Sequence, residues 1–308
     1  AKADMLIKGG NASGMKYGDT LSDDAFGGYE FDYVISNPPF GIDWKREKSQ
    51  VEAEAKRSYD GRFGPGLPAI SDGQMLFMLN GVKKLKESSG RMAIIQNGSS
   101  LFTGDAGSGA SEIRRYLIHE DLVEAIVQLP TDLFYNTGIS TYIWVLTKGK
   151  PISRSGRVQL IDASKCFVKR RKNIGSKRVD LSDDCIDLIL QAYEGFDQNE
   201  VYTADNLVVE SKVFENDFFG FTKVTVETAQ TDANGKPLLK KGKKLPVKGA
   251  TDSEIIPLSD DIDAYMEKNV LPYNPLAYID PAKDKIGYEI PFTRLFYKFE
   301  APEPSASI

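Results

Sequence analysis

The sequence predicts an α/β protein whose core is a largely parallel β-sheet. Short apolar, β-branched runs, each too short for a helix, predict buried strands at residues 31–36, 92–96 and 122–129. Amphipathic helices are predicted over residues 72–90 and around residues 113–117, between these strands. Because strands that alternate with helices run parallel, the three strands are expected in one parallel sheet.

Composition limits the class of protein. The 308 residues are 41% hydrophobic and 27% charged, as in a globular protein, and no apolar run reaches the roughly 18 residues of a membrane span. No signal-peptide pattern is present, so a cytoplasmic location is expected. The net charge of −5 means that any DNA partner must meet a local basic patch or another subunit. Cys166, Cys185 and the single His119 give no support for a metal site.

Residues 15–21, the first part of the chain with strand character, suggest a short strand that runs into a turn at Gly18 and Asp19. This would leave Asp19 at the carboxyl end of a strand. A carboxylate there can bind an adenine amino group, and it can equally well cap its own turn. Both interpretations remain open on the sequence.

The segment Asn37-Pro38-Pro39-Phe40 directly follows the strand predicted at residues 31–36. Two prolines end the strand and give a rigid loop, because each ring fixes φ and removes an N–H donor. In open α/β sheets, ligands bind just beyond the carboxyl ends of the strands. Asn37 is therefore expected where chemistry takes place, although Asn-Pro is also a common way to open an ordinary turn.

Methylation of an amine explains this choice of residues. An exocyclic amine on a purine ring is a weak nucleophile because its lone pair is delocalised into the ring. The Asn37 side-chain oxygen and the Pro38 carbonyl could each accept one N–H, which would direct the lone pair toward a methyl donor. Phe40 would offer a flat face to a base rotated out of its duplex.

The segments that follow complete the predicted sheet. Residues 41–71 are polar, rich in Gly and Pro and without a sustained period, which predicts a long active-site loop, with a mobile, solvated loop as the equal alternative. Residues 139–147 and 157–162 predict two further strands, which are expected to form a hairpin-like antiparallel pair.

Five segments, in this order and spacing, resemble the modification (M) subunit of type I restriction-modification systems. They are Gly-Asp-Thr-Leu at 18–21, Asn-Pro-Pro-Phe-Gly at 37–41, Asp-Gly-Gln-Met-Leu-Phe at 72–77, Gly-Arg-Met-Ala-Ile-Ile at 90–95 and Leu-Pro-Thr-Asp-Leu-Phe-Tyr-Asn-Thr-Gly-Ile-Ser-Thr at 129–141. The resemblance implies a Rossmann-like, S-adenosylmethionine-dependent methyltransferase sheet with a terminal antiparallel hairpin. Residues 1–163 would form a partial catalytic domain, and residues 164–308 a mixed carboxyl-terminal extension for DNA or subunit contacts.

The same resemblance implies a DNA adenine-N6 methyltransferase that moves a methyl group from S-adenosylmethionine to a flipped adenine in double-stranded DNA. Its partners would be a specificity subunit and a restriction subunit. The implied site residues are Asn37, Pro38, Pro39 and Phe40 for catalysis, Phe40 with Phe134 for stacking on the base, and Asp19 for the cofactor.

Residues 165–178 hold seven Lys or Arg residues and no acid. We expect phosphate contacts there, and a solvated loop is the alternative. The candidates are Lys169, Arg170, Arg171 and Lys172.

The chain departs from the family at the cofactor side. The family has a Gly-rich turn after its first strand and a ribose-binding acid after its second, and neither pattern is visible; the Gly-rich residues 107–110 follow the catalytic motif instead. The expectation is that the chain begins part-way through the cofactor domain. A non-catalytic assembly or DNA-binding fragment and a protein glutamine methyltransferase remain as alternatives.

Overall fold

The computed structural model describes residues 1–299. Its helices are α1 (Lys2–Ile7), α2 (Lys48–Ala55), α3 (Gln74–Lys83), α4 (Ser99–Phe102), α5 (Gly109–His119), α6 (Asp183–Gly195), α7 (Ile262–Asn269) and α8 (Phe292–Phe296). Its strands are β1 (Tyr33–Ser36), β2 (Arg91–Asn97), β3 (Val123–Gln128), β4 (Thr141–Thr147), β5 (Arg157–Asp162), β6 (Val168–Ile174), β7 (Lys177–Asp180), β8 (Asn199–Ala204), β9 (Leu207–Glu215), β10 (Gly220–Ala229), β11 (Leu239–Lys240), β12 (Lys243–Lys244), β13 (Pro246–Pro257), β14 (Ala277–Ile279) and β15 (Lys285–Tyr288).

Seven strands form the larger sheet, in the order β1-β2-β4-β3-β5-β9-β8. The pairs β1/β2 and β3/β5 are parallel, and β4 runs antiparallel between β2 and β3. This confirms an α/β sheet that contains an antiparallel strand, and that strand lies inside the sheet rather than at its end. The expected pairing of residues 139–147 with 157–162 was wrong, because β3 separates β4 from β5. Trp144 of β4 is completely buried, which suits a central strand better than an outer hairpin.

The larger sheet continues past the domain boundary expected at residue 163. β9 pairs with β5, and β8 pairs with β9. Helix α6 covers this half of the sheet, where Leu188 and Ala192 join a core with Ile161 and Val209. A second sheet holds β13, β10 and β14, with β15 also paired to β10. The division into a catalytic domain and an extension stays a prediction.

Residues 41–71 are packed rather than a free loop, so that expectation was wrong. They contain α2, and Trp44, Val51 and Phe63 lie in the core with exposures of 2%, 0% and 0%. Arg62 binds both carboxylate oxygens of Glu54, with Nε to Oε1 at 2.8 Å and Nη2 to Oε2 at 2.6 Å. Isolated apolar residues and one buried ion pair order this segment, and neither leaves a periodic pattern in the sequence.

Arg114 joins the second sheet to the helices at the carboxyl end of β2. It is completely buried and donates hydrogen bonds to three backbone carbonyls, those of Tyr288 at 2.6 Å, Thr103 at 3.0 Å and Ser100 at 3.2 Å. Burial lowers the pKa of its guanidinium to about 10. The group therefore stays charged at neutral pH and fixes β15 against α4 and α5.

The outer edge of β1 has no partner strand within residues 1–299. On this strand Tyr33 and Ile35 are 75% and 88% exposed, so β1 is an edge strand with one exposed face, and the expectation that residues 31–36 form a buried strand was wrong. None of the helices in the described part of the chain is both long enough and apolar enough to cross a membrane.

Candidate active site

One cleft lies where the carboxyl ends of β1 and β2 meet. The two strands are parallel with Ser36 opposite Ile94, so the loop after β1 and the end of β2 reach the same edge of the sheet. The cleft has a volume of about 750 Å³. It is lined by Asn37, Pro38, Pro39, Phe40, Gly41, Asn97, Phe134, Tyr135, Asn136, Thr137 and Ile139. The structure thus brings Asn37, Pro38, Pro39, Phe40 and Phe134 to one cleft. Their roles in catalysis and in stacking on the base stay predictions.

The loop after β1 presents its groups unevenly. Pro38 is buried and Phe40 half-buried, whereas Asn37 is exposed. Burial restricts the position of Pro38, and its ring fixes φ. The backbone next to Asn37 is therefore held firmly. Gly41 follows with φ of +62°, a conformation that favours glycine, and it also lines the cleft.

The facing wall of the cleft is a tight turn over residues 132–139. Asp132 adopts φ of +57°, and Phe134 forms an isolated antiparallel bridge with Thr137. A Cβ on Gly138 would lie 2.6 Å from Oδ1 of Asp132, so a larger residue at that position would require the Asp132 side chain to move. This turn holds Phe134 at the cleft.

A buried amide fixes the end of β2. Gln74 is 1% exposed, and its Nε2 donates to Oδ1 of Asn97 at 2.7 Å while its Oε1 accepts the Asn97 backbone N–H at 2.9 Å. Oδ1 of Asn97 also accepts from the backbone N–H of Ser99 at 2.9 Å. The same Nε2 donates to Oδ2 of Asp72 at 2.8 Å, and the Ser99 hydroxyl also contacts this oxygen, at 2.5 Å. The Asp-Gly-Gln segment therefore orients a residue of the cleft wall.

Asp19 does not lie in this cleft. The strand expected at residues 15–21 was wrong, because the segment forms turns. Oδ1 of Asp19 accepts the backbone N–H groups of Leu21 at 2.8 Å and Ser22 at 2.9 Å, which is the turn-capping alternative. The structure gives the cleft no charged side chain among the described residues. A role for Asp19 toward the cofactor stays a prediction.

The basic candidates lie on β6, the first strand of a hairpin with β7. Lys169, Arg171 and Lys172 are exposed. Arg170 is half-buried and pairs with the Asp180 carboxylate of β7, so it is less available to a ligand than the other three. DNA contact by these residues stays a prediction.

Six lining residues were not selected as site residues from the sequence, and one of these, Gly41, ends the recognised segment at 37–41. Asn97 could have been selected from the sequence, because it is a polar residue at the carboxyl end of a predicted strand. Asn37 was selected for the same reason. The others belong to a segment that was recognised as a whole, from which only Phe134 was selected. They are Tyr135, Asn136, Thr137 and Ile139.

Comparisons with known proteins agree on one family. The methylase subunit of the type I restriction enzyme MjaIX from Methanocaldococcus jannaschii is 27% identical over 269 residues, which cover 87% of this chain and 43% of that protein. The HindI methylase subunit from Haemophilus influenzae is 26% identical over 275 residues, which cover 88% of this chain and 58% of that protein. The chain thus spans about half the length of these curated relatives.

A solved structure extends the likeness to the fold. The crystal structure of a type I restriction-modification methyltransferase subunit from Streptococcus thermophilus matches with a TM-score of 0.56 and 26% identity. The match covers 69% of this chain and 41% of that one. The family model described as N-6 DNA Methylase matches residues 1–234. Because this range includes the whole larger sheet and every residue that lines the cleft, the chain belongs to the N-6 DNA methylase family.

Proposed function

We propose that this chain is the catalytic part of a DNA adenine-N6 methyltransferase, the modification subunit of a type I restriction-modification system. One observation carries the proposal: Asn37, Pro38, Phe40 and Phe134 line a single cleft whose described walls bear no charged side chain. Such a cleft suits a neutral aromatic base with an exocyclic amine. A carboxylate or phosphate ligand would need cationic partners there.

The chemistry rests on two acceptors. The Asn37 side-chain oxygen and the Pro38 carbonyl each take one N–H of the target amine, so the nitrogen lone pair turns away from the ring and toward the incoming methyl group. Both acceptors sit on a firmly held loop, which means that little reorganisation is needed during the reaction. Phe40 and Phe134 hold the flipped base by stacking.

S-adenosylmethionine supplies the electrophilic methyl group in this family's reaction. The cleft, as far as the structure describes it, fits only part of S-adenosylmethionine. Its lining includes no acidic side chain that could accept hydrogen bonds from the ribose hydroxyls. Asp19 already accepts two N–H groups of its own turn. Within residues 1–299, we assign no side chain to the methionine part or to the ribose part of S-adenosylmethionine.

The expected partners follow from charge and from the relatives' names. The relatives are methylase subunits of type I restriction enzymes. A net charge of −5 favours DNA binding that is shared with a specificity subunit, with the β6–β7 hairpin as the local basic contact. The enzyme would act on double-stranded DNA in the cytoplasm, together with a restriction subunit.

A substitution at Phe40 tests the flipped-base part of the proposal. In the full-length enzyme with its partners, Phe40→Ala should slow single-turnover methylation about 5- to 100-fold, because stacking on one aromatic ring contributes about 1–3 kcal/mol per base. Phe40→Tyr is the matched control, since its ring has the same stacking face. If alanine and tyrosine both methylate at the wild-type rate, Phe40 does not stack on the base.

Cofactor binding by the chain alone gives a second test. Calorimetric titration of S-adenosylmethionine into residues 1–308 should give weak or undetectable binding, because the described cleft offers no acid for the ribose. Binding at low-micromolar concentration would contradict this, and would direct attention to Gly107, Ser108 and Gly109.

A further inference from the structure

The wall of the cleft is attached to the basic hairpin. We call residues 132–137, which include Phe134 and Tyr135, the wall loop. The backbone N–H of Ser176 donates to the Tyr135 carbonyl at 2.9 Å, and that of Arg178 donates to the Asp132 carbonyl at 2.8 Å. Nζ of Lys177 donates to the Leu133 carbonyl at 3.0 Å. Three successive residues of the hairpin therefore hold the loop that carries Phe134.

The contact at the tip of the hairpin is very close. Gly175 has φ of +59°, and a Cβ built on it would lie 2.4 Å from the Tyr135 carbonyl oxygen. A side chain at this position cannot be accommodated unless the hairpin and the wall loop move apart. Nζ of Lys177 also lies over the Tyr135 ring, 5.5 Å from its centroid. The hairpin and the wall loop thus form one packed unit.

The hairpin is held together as a unit of its own. Asp180 of β7 pairs with Arg170 and with Lys177, the second at 2.9 Å. The side-chain hydrogen bond from Lys177 contributes most to holding the pKa of the Asp180 carboxyl below its ordinary value of 3.8. Lys169 and Arg171 flank Arg170 on β6 and are exposed, whereas Arg170 is half-buried against Asp180. The register of β6 against β7 is irregular between Lys169 and Ile174.

We infer that the β6–β7 hairpin is a positioning element, through which DNA phosphates bound by Lys169 and Arg171 set the wall loop for the target base. This inference rests on the proposed function and deepens it. Phosphate contact holds the hairpin, and the hairpin holds the backbone of Asp132, Leu133 and Tyr135 on either side of Phe134. The hairpin therefore contributes to the reaction rate as well as to affinity.

Kinetics can distinguish a residue that only anchors DNA from one that also positions the wall loop. Residues that only anchor DNA contribute equally to the bound state and the transition state, so their loss weakens affinity and leaves the rate unchanged at saturating DNA. Residues that also position the wall loop contribute to the rate at saturation, because a displaced stacking wall misaligns the base. The measurement is the single-turnover methylation rate at saturating DNA, beside the DNA affinity, in the full-length enzyme with its partner subunits.

The charge test uses Lys169→Gln combined with Arg171→Gln. We expect weaker DNA binding and a rate at saturating DNA that is about ten- to a hundredfold lower. Lys240→Gln combined with Lys241→Gln, on the exposed β11 strand and its turn, removes the same charge elsewhere and should leave the saturated rate unchanged. A loss of affinity alone, or no change in either quantity, would overturn the inference.

The contact test uses Gly175→Ala, which separates the hairpin tip from Tyr135 and leaves every charge in place. Gly235→Ala is its control, because Gly235 has φ of +78° and a Cβ added there would meet nothing within 4 Å. With 2-aminopurine in place of the target adenine, Gly175→Ala should bind DNA but change the fluorescence of the flipped base and reduce methylation of normal DNA. Wild-type fluorescence and rate would overturn the inference.

The two tests also keep this inference distinct from the proposed function. If the proposed function fails, the wild-type enzyme itself transfers no methyl group to adenine in DNA, and none of the rate comparisons can differ. If only the inference fails, the wild type methylates adenine, Asn37→Ala does not, and the hairpin variants methylate at the wild-type rate when DNA is saturating.

Discussion

Asn37→Ala is expected to lower the single-turnover rate of methyl transfer about 10²- to 10³-fold in the full-length enzyme with its partner subunits. The substitution removes one of two fixed acceptors for the target amine, and losing one preorganised hydrogen-bonding group at a reacting atom typically has an effect of this size. Because Asn37 is exposed, the thermal unfolding midpoint should stay near that of the wild type.

Asn37→Asp provides the matched comparison. Aspartate keeps an acceptor of nearly the same shape, so it should retain more activity than alanine, although its charge disturbs a cleft whose described walls are neutral. If Asn37 only opened a turn, both variants would methylate at the wild-type rate. A stable alanine variant with normal activity would remove the two-acceptor mechanism.

Glu54→Gln is expected to lower the free energy of unfolding by up to about 3–5 kcal/mol, because it removes the carboxylate that binds buried Arg62 through both oxygens and leaves only Asp24, 3.9 Å away, to face that charge. The Arg62 side chain is only 8% exposed and that of Glu54 only 13%. The Arg62 guanidinium also donates to the carbonyls of Thr20 at 2.7 Å and Leu21 at 3.2 Å, so the loss should loosen the amino-terminal segment too. Urea denaturation at pH 7 measures the effect. Glu52→Gln, an exposed carboxylate on the same helix, should change stability by less than about 1 kcal/mol.

The pH dependence of stability gives a second test of the ion pair between Glu54 and Arg62. Burial acts to raise the pKa of the Glu54 carboxyl, but hydrogen bonds from Arg62 and its positive charge outweigh burial and hold the pKa below the ordinary value of 4.5. A folded-state pKa below the unfolded one adds stability at higher pH, and this contribution is lost as the pH falls below 4.5 through the folded value. The wild type should therefore lose this stability in acid, and Glu54→Gln should show a smaller acid dependence. Equal acid dependence in both would contradict the role of the pair.

The features that the sequence predicted correctly depend on neighbours in the chain. A short apolar run stopped by two prolines is enough to predict β1 and the loop that follows it, because proline acts locally. Helix α5 follows from the spacing of Ile113 and Leu117. Asn37 was identified because the carboxyl end of a parallel strand is a general ligand position.

The features that it missed depend on contacts between distant residues. Residues 41–71 are ordered by the packing of Trp44, Val51 and Phe63 in the core. Each of these residues is isolated in a polar stretch, so the sequence has no hydrophobic periodicity that would reveal the packing. The place of β4 between β2 and β3 is decided by burial of both its faces, which a hairpin rule does not consider. Attachment of the wall loop to the β6–β7 hairpin uses backbone hydrogen bonds and the side chain of Lys177, and neither leaves a pattern in the sequence that identifies the contact.

Identification of the methylated product tests the central claim most directly. Duplex DNA is incubated with the full-length enzyme, its partner subunits and S-adenosylmethionine labelled in the methyl group, and is then digested to nucleosides. We expect the label in N6-methyldeoxyadenosine with the wild type, and on the order of a hundredfold less with Asn37→Ala. Label in N4-methyldeoxycytidine or in protein, or equal labelling by the two enzymes, would contradict the account of an adenine amine held by Asn37 and Pro38.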